Sequence, residues 1–94
     1  TAGGEFMSNQ TAHFEKEHRD YLKKLGLRIV KLRKKNKMSR ATLAELSQLN
    51  TQYLLDVESG RKNPGIYVVA KLARAFDVPV SQLLKSLDLK PIDE

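Results

Sequence analysis

Residues 39–60, SRATLAELSQLNTQYLLDVESG, constrain the fold more than any other stretch of the chain. Two short segments with helix-like apolar spacing are joined by SQLN, too little chain for a loop of any size, so the two helices must lie against each other. Ser39 is a good N-cap, because its hydroxyl accepts from an unpaired first-turn N–H, and a helix over about 40–47 then turns Leu43 and Ala44 inward. Asn50 is a second N-cap, opening a helix over about 51–58 whose Leu54 and Val57, at i and i+3, form one buried stripe. Gly60 is placed to end that helix through a left-handed residue. Thr51, Gln52, Leu55 and Asp56, at offsets 0, 1, 4 and 5, then share the opposite, outward face.

The rest of the chain reads as helix too. Tyr21, Leu22, Leu25, Ile29 and Leu32 recur at three and four residues, predicting a helix over about 17–35. Gly26 inside it costs up to about 1 kcal/mol relative to Ala, unless another backbone approaches closely there. Ile66, Val69, Leu72, Ala73 and Phe76 define a helix over about 65–76, and Val78 and Pro79 lead into a last one over about 80–87. Strand-like alternation is absent. The expected fold is therefore all-α: five helices, connected by two to seven residues, in one domain over 17–87. Residues 1–6 (TAGGEF) look like an expression-tag remnant. Residues 7–16 are polar and read as a frayed helical start or a flexible segment, and 88–94 as a short tail.

Charge narrows the partner. The chain carries 17 Lys and Arg against 11 Asp and Glu, a net charge of +6, and its pI is about 9.7. Eleven of those basic residues fall between Lys16 and Arg40. Such a balance favours an anionic partner, nucleic acid before anionic membrane, with a solvated helix face as the plain alternative. No cysteine is present, which removes disulfides and thiolate–metal sites and suits a reducing cytoplasm. No apolar run approaches the roughly 20 residues that cross a bilayer. His13 and His18, at i and i+5, have poor ligand geometry on one helix, so no metal is expected. GRKNPG lacks the spacing of a phosphate-binding loop, and no triad or carboxylate pair stands out, so neither catalysis nor a cofactor is expected.

Two short helices meeting through a tight turn form a helix-turn-helix, in which the second helix puts its N-terminal side chains into the DNA major groove. LGLRIVKLRKKNKMS, TLAELSQLNTQYLLDVESG, RKNP and VVAKLARAFDVPVSQLL, over about 22–84, together resemble the phage-repressor and Cro-like family that includes lambda-type repressors. The resemblance implies a dimeric, sequence-specific double-stranded-DNA-binding regulator of transcription, its helix-turn-helix at about 40–58. Arg40 stands where the family usually has Gln at the head of the second helix. It can take a phosphate, or reach guanine O6 and N7 with two hydrogen bonds. Thr51 and Gln52 occupy the leading base-reading positions, with Gln52 suited to adenine and Leu55 to a thymine methyl. Asp56 is suited to cytosine N4, or to restraining Arg40 or a nearby lysine. The resemblance also places Arg33, Ser39, Asn50, Tyr53, Arg61, Lys62 and Asn63 at the DNA backbone, although Tyr53 can equally be a packing residue. Glu58 would hold Arg33 in an exposed salt bridge worth about 1 kcal/mol at most.

Two features qualify that picture. Gln48 occupies a turn position where the family commonly has Gly; a left-handed side chain there costs roughly 1 kcal/mol and is expected to remodel the turn slightly. Val80, Leu84, Leu87, Leu89 and Ile92, with Leu83, exceed what one short helix buries alone. The resemblance, to a family whose last helix often forms a two-fold contact, implies that the first five form a homodimer contact. The plain alternative is that Leu83 and one neighbour pack inward while the others lie on the surface. Alternatively, the fold is an antitoxin or adaptor that chiefly binds a protein partner, with the apolar tail as its site. A third possibility is non-specific binding through the basic first helix.

Overall fold

The computed structural model describes residues 2–92, with residues 2–12 described by their backbone alone. Thr1 of the expected tag remnant and residues 93–94 of the tail lie outside the described residues. Five helices follow in order: α1 (Ala2–Lys35), α2 (Arg40–Leu46), α3 (Thr51–Glu58), α4 (Ile66–Ala75) and α5 (Val80–Leu83). No strand occurs among the described residues.

α1 begins at Ala2 rather than near Glu17, so its span takes in 7–16. No proline interrupts 2–35, and a Lys16–Asp20 ion pair at i, i+4 spans the expected boundary. At about 1.5 Å per residue, its 34 residues make a rod of about 51 Å, nearly the 53 Å long axis of the molecule.

The core lies where the C-terminal half of α1 meets the other four helices. Leu25 and Ile29 of α1 pack with Leu43 and Ala44 of α2, Leu54 and Val57 of α3, and Val69, Leu72 and Ala73 of α4. Phe76, Leu83 and Leu87 complete it. Ile66, expected on the inward stripe of α4, is instead 71% exposed at the first residue of that helix. Gly26 is where α1 and α3 touch backbone to backbone. A Cβ built there would sit 2.7 Å from the Glu58 carbonyl carbon and 2.8 Å from the Val57 oxygen, nearer still to the Glu58 oxygen. Its lost helix propensity is thus the cost of bringing α3 close.

Four helices stop in the same way. Lys37, Gln48, Gly60 and Asp77 take positive φ (55°, 56°, 78° and 56°) directly after the caps of α1, α2, α3 and α4. After α3, the Arg61 N–H reaches the Asp56 carbonyl at 2.8 Å and the Gly60 N–H that of Val57 at 3.1 Å. This doubly bonded stop satisfies two orphan carbonyls. Gln48 makes the same pair of bonds after α2, from Gln48 N–H to Glu45 (3.1 Å) and from Leu49 N–H to Ala44 (2.8 Å). The non-glycine residue therefore tolerates the left-handed state, and the turn keeps this regular hydrogen-bond pattern rather than being remodelled.

α5 is shorter than expected, ending at Leu83 instead of near Leu87. Arg28 fastens the end. Its guanidinium donates to the carbonyls of Gln82 (3.2 Å), Leu83 (3.3 Å) and Lys85 (2.8 Å), covering acceptors at the end of α5. Ser86 then turns at φ 65°. This staple fastens the C-terminal segment to α1 and folds Leu87 back into the core at 7% exposure.

Candidate nucleic-acid interface

The local chemistry that builds α2 and α3 also aims their side chains. The Ser39 hydroxyl accepts the Thr42 N–H at 3.0 Å, opening α2. The Asn50 side-chain oxygen accepts the N–H groups of Gln52 (2.8 Å) and Tyr53 (3.1 Å), opening α3. Each cap fixes the direction in which its helix leaves the turn. Asn50 spends its oxygen this way and keeps its amide donor for an outside acceptor.

Leu54 and Val57 anchor α3 from behind, almost wholly buried. Thr51 and Gln52 are exposed on the front, with Leu55 and Asp56 half-exposed beside them. Arg40, Asn50, Thr51, Gln52 and Leu55 line one open cleft of about 360 Å³ between the start of α2 and the start of α3. The outward set anticipated from helical offsets is therefore on one face, and Arg40 joins it from α2.

Asp56 is committed to its neighbours. Its Oδ1 accepts from Arg61 Nη2 at 3.0 Å and Nε at 3.3 Å, and from Gln52 Nε2 at 3.2 Å. The hydrogen bond from Arg61 holds the Asp56 carboxyl below the usual carboxylate range; desolvation opposes that shift and the Gln52 bond assists it. Asp56 restrains Arg61 and Gln52, not Arg40 or a lysine. A carboxylate accepts only, so the Gln52 nitrogen must face it. One Nε2 hydrogen and Oε1 then remain for an adenine edge. Asp56 thus holds the Gln52 side chain and the Arg61 guanidinium in place.

The ion pair between Arg33 and Glu58 forms, but it is buried, not exposed. Arg33 Nε donates to Glu58 Oε2 at 2.7 Å and Nη2 to Oε1 at 3.3 Å, with side chains 11% and 2% exposed. Arg33 Nη1 donates to the Met38 carbonyl at 3.2 Å. Its fork is turned into the domain, where it buttresses α1 against α3 and closes the end of α1. Removing one partner of a buried pair costs about 3–5 kcal/mol, well above the earlier exposed-pair figure.

Sequence reasoning missed the third member of this cluster. Arg40 Nε donates to Glu58 Oε1 at 2.8 Å, with 37% of its side chain exposed. No periodicity links positions 18 apart on different helices; only the packing of α2 on α3 brings them together. Arg61, Lys62 and Asn63 are exposed after α3. Tyr53 is half-buried against the core, the packing alternative open to it.

The expected dimer set divides. Leu87 is core and cannot meet another chain. Val80 and Leu84 are half-buried against the domain, while Leu89 and Ile92 are exposed at 57% and 89%. Among the described residues, no helix is long and apolar enough to cross a membrane.

Comparison with known proteins agrees with this geometry. A helix-turn-helix family model, HTH_3, matches residues 29–83, from within α1 to the end of α5. The immunity repressor protein of Bacillus phage phi105 is 35% identical over 60 residues, 64% of this chain and 42% of that protein. The HTH-type transcriptional regulator DdrOP3 of Deinococcus deserti is 31% identical over 65 residues, 69% of this chain and 50% of that protein. The chain thus spans half or less of the length of these curated relatives. Among solved structures, the restriction-modification controller protein C.AhdI from Aeromonas hydrophila aligns with a TM-score of 0.65 at 39% identity, over 66% of this chain and 94% of that one. The clp gene regulator ClgR from C. glutamicum aligns at 0.67 and 25% identity, over 71% and 87%. Five helices without strands among the described residues, a capped pair at the turn and the family match lead to one conclusion: this chain belongs to the HTH_3 family of helix-turn-helix proteins.

Proposed function

We propose that the chain is a sequence-specific double-stranded-DNA-binding regulator of transcription that inserts the front of α3 into the major groove. The observation that carries this is the cleft face of α3: Thr51 and Gln52 exposed, Leu55 beside them, and Leu54 and Val57 locked behind. A major groove about 12 Å wide admits such a helix. Thr51, Gln52 and Leu55 meet base edges. Ser39, Asn50, Tyr53, Arg61, Lys62 and Asn63 meet the sugar-phosphate backbone on either side. The relatives support the reading: an immunity repressor, a transcriptional regulator and a restriction–modification controller.

The protein acts in the cytoplasm as a homodimer joined through Leu89 and Ile92, with Val80 and Leu84 at the edge of the contact. Two recognition helices then sit about 34 Å apart on an approximate palindrome. Selection from a random pool of duplexes tests both parts. Two inverted half-sites one helical turn apart are expected. Binding that favours no sequence, and weakens equally on all duplexes as salt rises, refutes the proposal. Sedimentation of the purified chain as a monomer on such DNA would refute the homodimer contact through Leu89 and Ile92.

A further inference from the structure

Resting on the major-groove reading above, we infer that Arg40 is a base-reading residue that selects a guanine, held in position by the buried carboxylate of Glu58. Three observations converge. First, Glu58 Oε1 takes Arg40 Nε at 2.8 Å while the same carboxylate holds Arg33 through Nε and Nη2. One negative charge serves two guanidinium groups, so the cluster keeps a net positive charge, and Arg40 is its exposed member. Second, the bond to Nε fixes one edge of the Arg40 plane and leaves both Nη groups at its far end. Those two parallel N–H donors match the O6 and N7 acceptors of guanine. Third, Arg40 lines the same cleft as Thr51, Gln52 and Leu55, and so faces the bases those residues face.

A phosphate contact needs only a positive charge at the surface, which the exposed Lys62 supplies outside the cleft. A guanidinium clamped at its Nε edge has already lost the freedom that bidentate pairing would otherwise remove, and binding gains from that preorganisation. Glu58 is the positioning residue and touches no base itself. Each half-site therefore contains one G·C pair, beside the pairs met by Thr51 and Gln52, whose guanine is chosen by Arg40.

The test is selection from a random duplex pool with wild type, Arg40→Gln and Arg40→Lys, each confirmed folded by circular dichroism. The wild-type consensus should contain one guanine per half-site whose replacement weakens binding about 5- to 150-fold. Arg40→Gln should lose that preference and Arg40→Lys should blunt it, with the rest of the consensus kept. Substituting 7-deazaguanine, which lacks N7, at that position should weaken wild type and leave Arg40→Gln unchanged. Glu58→Gln, selected at a temperature where it is folded, should weaken the preference at that one pair alone. A consensus unaltered by Arg40→Gln, or equal weakening on every duplex, overturns the proposal while the major-groove reading stands. A Glu58→Gln consensus identical to wild type overturns the clamp. Failure of wild type to select any consensus overturns the major-groove reading and this proposal together.

Discussion

Replacing Gly26 by Ala should destabilise the protein, against the sign that helix propensity alone gives. In an exposed helix interior the change stabilises by about 1 kcal/mol. Here the added methyl would lie 2.7 Å from the Glu58 carbonyl carbon, where ordinary contact begins near 3.4 Å. The obstacle is backbone, which cannot rotate away as a side chain does. α1 and α3 must part, and Leu25, Ile29, Leu54 and Val57 lose contacts that are now close-packed. Overpacking of a core costs about 1–3 kcal/mol, and a backbone obstacle belongs at the upper end. Set against the propensity gain, the net loss is about 2 kcal/mol. For a domain of this size each kcal/mol moves Tm by about 4–8 °C, so thermal denaturation should show a fall of about 8–16 °C. Because Glu58 is the neighbour displaced, DNA affinity should fall too at temperatures where the variant is folded. An unchanged or higher Tm would refute the close-approach argument.

Other expectations follow from single residues. Gln48→Gly should raise stability by up to about 1 kcal/mol, since φ is 56° there and glycine adopts it without strain; denaturant melting reads the gain, and a loss contradicts it. Arg28→Met should cost about 1–2 kcal/mol by removing charge-assisted bonds to three carbonyls, and hydrogen exchange should quicken at Leu83–Leu87 ahead of α4; uniform quickening would show that the staple is not local. The Asp56 carboxyl is depressed by Arg61, so its contribution is present above the unfolded value near 3.9 and lost only as pH falls through the lower folded value. The stability difference between wild type and Asp56→Asn should stay constant from pH 8 to 5 and narrow only below about 4. Narrowing between pH 7 and 5 would contradict the assignment.

The helix-turn-helix was legible because its signals are local. Ser39 and Asn50 announce their helices by capping chemistry, and the boundaries of α3 come from Asn50 and Gly60 within a residue. Leu54 and Val57 needed only i, i+3 spacing. What escaped depended on contacts between elements. Positions 80, 84 and 87 share a face only if the last helix continues; it ends at Leu83, where Arg28, distant in sequence, fastens the following segment to α1 and Leu87 lies in the core. The Arg33–Glu58 pair was visible as a resemblance, but its burial, and the arrival of Arg40 from α2, required the packed structure. Gly26 carried both possibilities in the sequence, and the nearness of Glu58 decided between them.

The central claim is that the leading edge of α3 distinguishes one base pair from another. Its most direct measurement is the affinity of wild type, Thr51→Ala and Gln52→Ala across a set of duplexes that differ from the selected site by single base pairs. Each truncation should cost about 1–3 kcal/mol on the selected site and erase discrimination at one or two adjacent positions, leaving the salt dependence in place. Equal losses on every duplex, with discrimination intact everywhere, would contradict the claim and move base recognition away from α3.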